Sequence, residues 1–199
     1  VSIRTPASTV STLTYGGTGL TRIGYINGTN CRVEMWYLVA PATGTNTIAV
    51  TLSAGSKFVG GAATFTGVHQ TTPLGTFASA SGTSTTPSVN VTSAAAEAVV
   101  DTVAISPQNF LSPMPTATVG AGQTQRWNAA TTGGLTTSNV RGAGSTEPGA
   151  NPVTMSWTLS SSARWAIVAV PLKPVRPTAI KLTSFTASGG DYGPVLLQW

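Results

Sequence analysis

Short stretches in which apolar and hydroxyl side chains alternate recur along the whole chain, and no segment carries the 3.6-residue periodicity of a helix. Clusters of Gly, Pro, Asn and Thr separate these stretches at intervals of about eight to twelve residues. In Val153–Leu159, for example, apolar side chains alternate with Thr and Ser, which predicts a strand with one buried face. The pattern predicts an all-β fold: a two-sheet antiparallel β-sandwich, jelly-roll-like, with a C-terminal strand extension.

The alternation and the apolar runs predict thirteen strands. Trp165–Val170 is apolar at every position, so we expect this strand to be covered on both faces. The Gly-rich stretch Gly142–Pro152 is predicted to be a loop, and Val1–Arg4 is strand-like. The thirteen strands are Thr12–Tyr15, Thr21–Ile26, Arg32–Val39, Thr47–Ser53, Lys57–Thr66, Ser88–Thr92, Ala98–Ile105, Ala117–Gly120, Gln123–Asn128, Val153–Leu159, Arg164–Pro171, Ile180–Ala187 and Pro194–Trp199.

Composition favours an extracellular protein. Charged residues make up 8% of the chain, whereas about 25% is usual for soluble domains. The 34 Thr and 20 Ser supply the polar surface instead, as is common in bacterial surface proteins. The net charge of +5 is scattered, without a basic run interleaved with aromatic residues, which argues against nucleic-acid binding. No run of about 18 apolar residues is present, so we expect no membrane span.

The end of the chain differs in character from the rest. We divide the sequence into a β-sandwich domain at 1–173, a Pro-rich linker at 174–178 and an apolar strand tail at 179–199. Proline at every third position from Pro171 to Pro177 keeps the connector extended and unable to complete a sheet ladder. The tail is too short to fold alone and too apolar to stay in solvent. Because the sequence opens directly on strand-like Val1–Arg4, we also expect it to be a piece of a longer precursor.

Several short runs in residues 1–173 are distinctive when taken together: Thr14–Gly17, Leu20–Arg22, Val33–Leu38, Phe65–Val68, Thr71–Gly75, Gly122–Trp127, Gly142–Gly149 and Met155–Thr158. They resemble a group of bacterial secreted β-sandwich modules, concanavalin A-like in outline, that occur in large multidomain surface proteins. In that group a further strand precedes the segment that matches Val1–Arg4. The tail, Ala179–Ala187 followed by Val195–Trp199, resembles the opening of a fibronectin type III-like module. The resemblance implies a fold and an extracellular location, and it transfers no catalytic residue.

The residues that usually carry catalysis are scarce. Only five carboxylates occur, and the closest pair, Glu97 and Asp101, is predicted to lie on a solvated strand edge rather than across a cleft. His69 is the sole histidine and is predicted to lie in a surface loop, without a second imidazole or thiol for a metal. Glu34 is predicted to pair with Arg32 or Arg22 across a sheet, and Cys31 to be a buried, unpaired thiol. We therefore expect a protein that is not an enzyme and that uses no cofactor or metal.

Two non-enzymatic functions remain. The first is a subunit that assembles with copies of itself into a filament or surface layer by strand addition. The tail residues Ile180, Leu182, Phe185, Val195, Leu197 and Trp199 would be the donors, and Ile3 and Arg4 would mark the receiving edge. The alternative is a carbohydrate-binding or adhesion module, with Trp127 as an exposed stacking residue beside Arg126 and with Glu147 in the Gly-rich loop. Trp157 and Trp165 are expected in the core.

Overall fold

A computed structural model describes residues 1–109, 112–133 and 138–175 of the protein. The regular elements in these ranges are β-strands, and every pairing between them is antiparallel. The predicted all-β class with antiparallel sheets is therefore confirmed. The strands are β1 (Ser2–Ile3), β2 (Val10–Tyr15), β3 (Thr18–Gly19), β4 (Thr21–Gly28), β5 (Cys31–Tyr37), β6 (Ile48–Leu52), β7 (Phe58–Val59), β8 (Ala78–Ser84), β9 (Ser88–Val91), β10 (Ala98–Ser106), β11 (Ala117–Val119), β12 (Thr124–Ala130), β13 (Arg141–Pro148), β14 (Val153–Leu159) and β15 (Ala163–Leu172).

The described strands form four sheets where the sequence predicts two. A five-stranded sheet has the order β12-β13-β10-β15-β8, and a four-stranded sheet has the order β4-β5-β1-β7. Two three-stranded sheets have the orders β11-β14-β9 and β3-β2-β6. Neighbouring strands in each sheet are often distant in sequence, so the sheets are held together by long-range pairings such as β10 with β15.

The five-stranded sheet is covered on both of its faces. Side chains of β10 and β15 that face one way join Trp157 and Met155 of β14 in a buried cluster. Those facing the other way, such as Val168, join Val33 and Met35 of β5 in a second cluster. This confirms that Trp165–Val170 is a central strand, and it explains why the segment is apolar at every position. Trp157 and Trp165 lie in the core as predicted, with 1% and 8% of their surface exposed.

A third cluster joins the β3-β2-β6 sheet to the four-stranded sheet. Val10 and Leu13 of β2 pack against Ile3 of β1, with Trp36 of β5 at the margin. Successive side chains of a strand point to opposite faces. Trp36 therefore faces away from Val33 and Met35, and the two faces of β5 contact different sheets.

The main differences from the predicted strands have physical causes. Most of Lys57–Thr66 is irregular, and only the two residues of β7 pair within it. The predicted loop Gly142–Pro152 is largely β13, a strand with five consecutive buried residues. Its glycines indicate a loop by composition, but here they make room for an aromatic ring. Strand β8, composed of Ala, Ser, Gly and Thr, was not predicted because it lacks large apolar residues. The two strands predicted in the tail lie outside the described residues.

Candidate functional site

The described residues form an open apolar groove of about 620 Å³. It lies where the β3-β2-β6 sheet, the end of β5, the irregular segment 60–74 and the inner strands β10 and β13 approach one another. Large apolar side chains dominate its lining, a composition typical of sites that bind apolar groups. They include Leu13, Leu20, Trp36, Tyr37, Ile48, Val50, Phe58, Phe65, Val68, Leu74, Trp127 and Leu172.

Three of the large apolar side chains that line this groove are exposed to solvent. Ile48, Phe58 and Phe65 have 47%, 38% and 38% of their surface exposed. Single exposed apolar residues are ordinary, but several that line one concavity indicate an interaction surface. Covering these side chains would remove apolar area from water and would therefore be favourable.

Trp127 lines the groove, but its ring is not the free stacking surface that the sequence predicts. The indole lies across the glycines of β13, where a Cβ built on Gly142 would come within 2.6 Å of Cη2. Gly61 covers the ring from the irregular segment, and Trp127 as a whole is half-buried. Glycine at position 142 is thus required by close packing, because any side chain would collide with the ring. The binding role predicted for Trp127 stays a prediction.

Of the other two candidate ligand-binding residues, one lies at the groove and one does not. Arg126 is exposed, lines the groove, and donates from Nε to Oγ1 of Thr146 over 2.8 Å. Glu147 follows Thr146 in β13, so its side chain points to the opposite face of that strand. There its Oε2 is buried without a hydrogen-bond partner among the described residues, and burial raises the pKa of this carboxyl. The structure therefore separates Glu147 from Arg126 and Trp127.

Glu34 is fully buried and its carboxylate is saturated by neighbours. Its Oε1 accepts from Arg32 Nε at 2.6 Å and from the backbone N–H of Val10 at 3.1 Å. Its Oε2 accepts from Trp36 Nε1 at 3.2 Å and lies 3.7 Å from Arg22. The predicted cross-sheet ion pair is confirmed. Through the indole N–H, this carboxylate also fixes the orientation of Trp36 beside the groove.

Asp101 corrects the prediction of a solvated carboxylate. It is 2% exposed, because β10 is a central strand and its side chain points into the core shared with β14. Oδ1 accepts from the backbone N–H of Ser145 at 2.7 Å and from its hydroxyl at 2.8 Å, and Oδ2 accepts from Trp157 Nε1 at 2.8 Å. Burial outweighs these bonds and raises the pKa of Asp101 to about 7. Glu97, four residues earlier, accepts from the backbone N–H of Ala94 at 2.8 Å.

The described chain leaves the fold along the rim of the groove. Leu172, the last residue of β15, bridges to Leu74, and Pro174 bridges to Val68, so the segment runs antiparallel to residues 67–74. The N–H of Val175 donates to the carbonyl of Gly67 at 2.8 Å. The start of the predicted linker is therefore bound to the fold, and its prolines do not prevent these isolated bridges.

His69 lies in the same rim segment. It is half-buried rather than fully exposed, and its Nδ1 accepts from the backbone N–H groups of Thr71 and Thr72. These two bonds close a local turn, as the loop position predicted for this residue requires.

The predicted receiving edge is occupied in the structure. Strand β1 is hydrogen-bonded to β5 on one side and to β7 on the other, and Ile3 is fully buried. The guanidinium of Arg4 donates to the carbonyl of Asn30. A donated strand would pair with β1 only by displacing β7, so the receiving role of Ile3 and Arg4 stays a prediction. All six predicted donor residues lie outside the described residues: Ile180, Leu182, Phe185, Val195, Leu197 and Trp199.

Three further observations concern chemistry and membranes. Cys31 is fully buried as predicted, and burial raises the pKa of its thiol to about 12. Across residues 1–109, 112–133 and 138–175, no three His, Cys, Asp or Glu side chains are grouped closely enough to hold a metal ion. Within the same ranges, no helix has the length and apolarity needed to cross a bilayer.

Comparison with models of protein families, with curated proteins and with solved structures finds no match to this chain. The resemblance noted in the sequence therefore identifies no family. What stands is an all-β protein with several antiparallel sheets packed together.

Proposed function

We propose that this chain is a non-enzymatic extracellular structural subunit that assembles with copies of itself through its C-terminal strand tail. The observation that carries the proposal is the exposed apolar groove, together with a following segment that is rich in apolar residues. Both surfaces are unfavourable in water, and one contact between them would cover both. If tail and groove of one molecule engage different neighbours, the contact is head-to-tail and generates a filament.

The chemistry of the described polar groups also supports a structural role. Glu34 and Asp101 are the most deeply buried carboxylates of the described part, and each accepts hydrogen bonds from several fixed donors. A general acid or base needs a free proton-transfer path to a substrate, which such saturated groups lack. The extracellular location rests on the low charge and the high Thr and Ser content. We also propose that the sheets follow a jelly-roll outline.

Tail-dependent assembly is tested by measuring mass. The full chain and a variant carrying Leu182→Asp, Phe185→Asp and Leu197→Asp are compared by size-exclusion chromatography with light scattering and by negative-stain electron microscopy. We expect concentration-dependent polymers from the full chain and monomers from the variant. A matched control places the same charges at polar tail positions, Thr183→Asp and Ser184→Asp, and should assemble. A full chain that stays monomeric at all concentrations would refute the proposal.

A second candidate function is glycan binding, which the shared position of Trp127 and Arg126 at the groove favours. An aromatic ring edge beside a guanidinium is a combination that sugar hydroxyls and rings can contact. Binding of the full chain to a glycan array, lost in Arg126→Ala, would support this function over assembly.

A further inference from the structure

We infer that the apolar groove is the receiving site for residues 179–199 of a neighbouring copy, in place of the edge at Ile3 and Arg4. This inference rests on the proposed function and names the surface through which it would operate. Strand β1 has partners on both sides, whereas the groove is open and no residue of the described ranges covers its exposed apolar side chains. A donated segment would therefore gain buried apolar area in the groove without breaking any existing pairing.

The occupant has to be predominantly apolar, because the groove offers few free polar groups. The carboxylate of Glu34 at its boundary already accepts bonds from Arg32 and Trp36. The carboxylate of Asp101 points away from the groove, into the core shared with β14. The exposed side chains are those of Ile48, Phe58 and Phe65. A volume of about 620 Å³ lies within the range of sites that enclose a drug-sized group, which suits a few side chains of one segment.

The sequence of the tail fits this requirement. Ile180 and Leu182 are two residues apart. Further along the tail, Val195, Leu197 and Trp199 are again spaced two residues apart. In an extended segment this spacing places side chains on one face. The tail holds only two charged residues, Lys181 and Asp191, and neither interrupts the two sets of apolar positions.

We assign the tail to a neighbouring copy because the proposed function requires a contact between molecules. The described chain runs along the rim through Val175, and only three residues separate that position from Ala179. Three residues span at most about 10 Å. The experiment with mixed full-length variants distinguishes a neighbour's groove from the groove of the same molecule.

The inference is tested by complementation between two full-length variants. The groove variant carries Ile48→Glu and Phe65→Glu, two exposed positions whose substitution leaves the buried clusters intact. The tail variant is Leu182→Asp, Phe185→Asp, Leu197→Asp. Each variant alone should be monomeric, and an equimolar mixture should give a one-to-one heterodimer that grows no further, because only one intact groove meets one intact tail. Thr158→Glu, an exposed position on β14 outside the groove, serves as the charge control and should polymerise.

The possible outcomes separate this inference from the proposed function. A full chain that polymerises while the groove variant also polymerises would overturn the groove as receiving site and leave tail-dependent assembly standing. A monomeric full chain would overturn both, whether its tail occupies its own groove or the groove binds a glycan. Circular dichroism and thermal melts of both variants verify that they are folded before mixing.

Discussion

The buried carboxylate of Asp101 gives the sharpest test of the described core. Burial in the core between β10 and β14 disfavours its charge, while Ser145 and Trp157 supply three hydrogen bonds that favour it. The perturbation is Asp101→Asn, which removes the titration. The amide oxygen can still accept from Ser145, but the amide nitrogen then faces the N–H of Trp157. We expect this mismatch to make Asp101→Asn about 1–3 kcal/mol less stable than the protonated parent, the form present at pH 4.

The pH dependence follows from the direction of the shift. The pKa of Asp101 is raised from 3.8 to about 7 on folding, so the folded state holds a proton that the unfolded state releases between these values. The stabilisation from this proton is fully present below about pH 4 and is lost as the pH rises through about 7. A shift of about three units corresponds to about 4 kcal/mol. The parent chain should lose this amount relative to Asp101→Asn between pH 4 and pH 8.

The assay is urea unfolding of the parent and of Asp101→Asn at pH 4, 5, 6, 7 and 8, with circular dichroism as the signal that monitors unfolding. The difference in unfolding free energy between the two chains isolates Asp101, because Glu147, whose pKa is also raised, is present in both. Carbon-13 NMR of the Asp101 carboxyl reports its titration directly. A difference that stays constant across this range would refute the reasoning, since it would show that the hydrogen bonds outweigh burial.

Three further substitutions or reactions test other contacts. Gly142→Ala should lower stability by about 1–3 kcal/mol, because its Cβ would come within 2.6 Å of the Trp127 ring, and an unchanged urea midpoint would contradict this packing. Glu34→Gln should cost about 3–5 kcal/mol in urea unfolding, because it leaves Arg32 buried without its counter-ion, and a loss under 1 kcal/mol would contradict it. Cys31 should resist a thiol-reactive dye at pH 8 in the native chain and react after denaturation, and rapid native labelling would argue against its burial.

The strands that can be predicted from the sequence are those in which the order of apolar and polar side chains shows which faces are buried. Val153–Leu159 alternates apolar and hydroxyl side chains, and the structure gives a strand with those same bounds and one buried face. Trp165–Val170 is apolar throughout and lies between two other sheets. In both segments the side-chain pattern determines the element without knowledge of its partners.

Features that depend on partners distant in sequence could not be predicted in this way. Glycine is typical of loops, so the sequence predicts a loop at Gly142–Pro152 where the structure has strand β13. Its glycines are explained only by the ring of Trp127, which arrives from another strand. Asp101 was expected in solvent because a lone carboxylate seldom tolerates burial, and its donors Ser145 and Trp157 lie 44 and 56 residues away along the chain. The groove likewise has no local signal, since several separate segments contribute to it.

Site-specific cross-linking tests most directly whether a tail from one molecule occupies the groove of another. A chain carrying Ile48→Cys is mixed with a chain carrying Leu182→Cys under mild oxidation, and the products are separated on a non-reducing gel. The native Cys31 is buried and should not interfere. We predict a disulfide-linked heterodimer that is absent when Thr158→Cys replaces Ile48→Cys. Equal cross-linking from both positions, or none from either, would contradict a tail seated in a neighbour's groove.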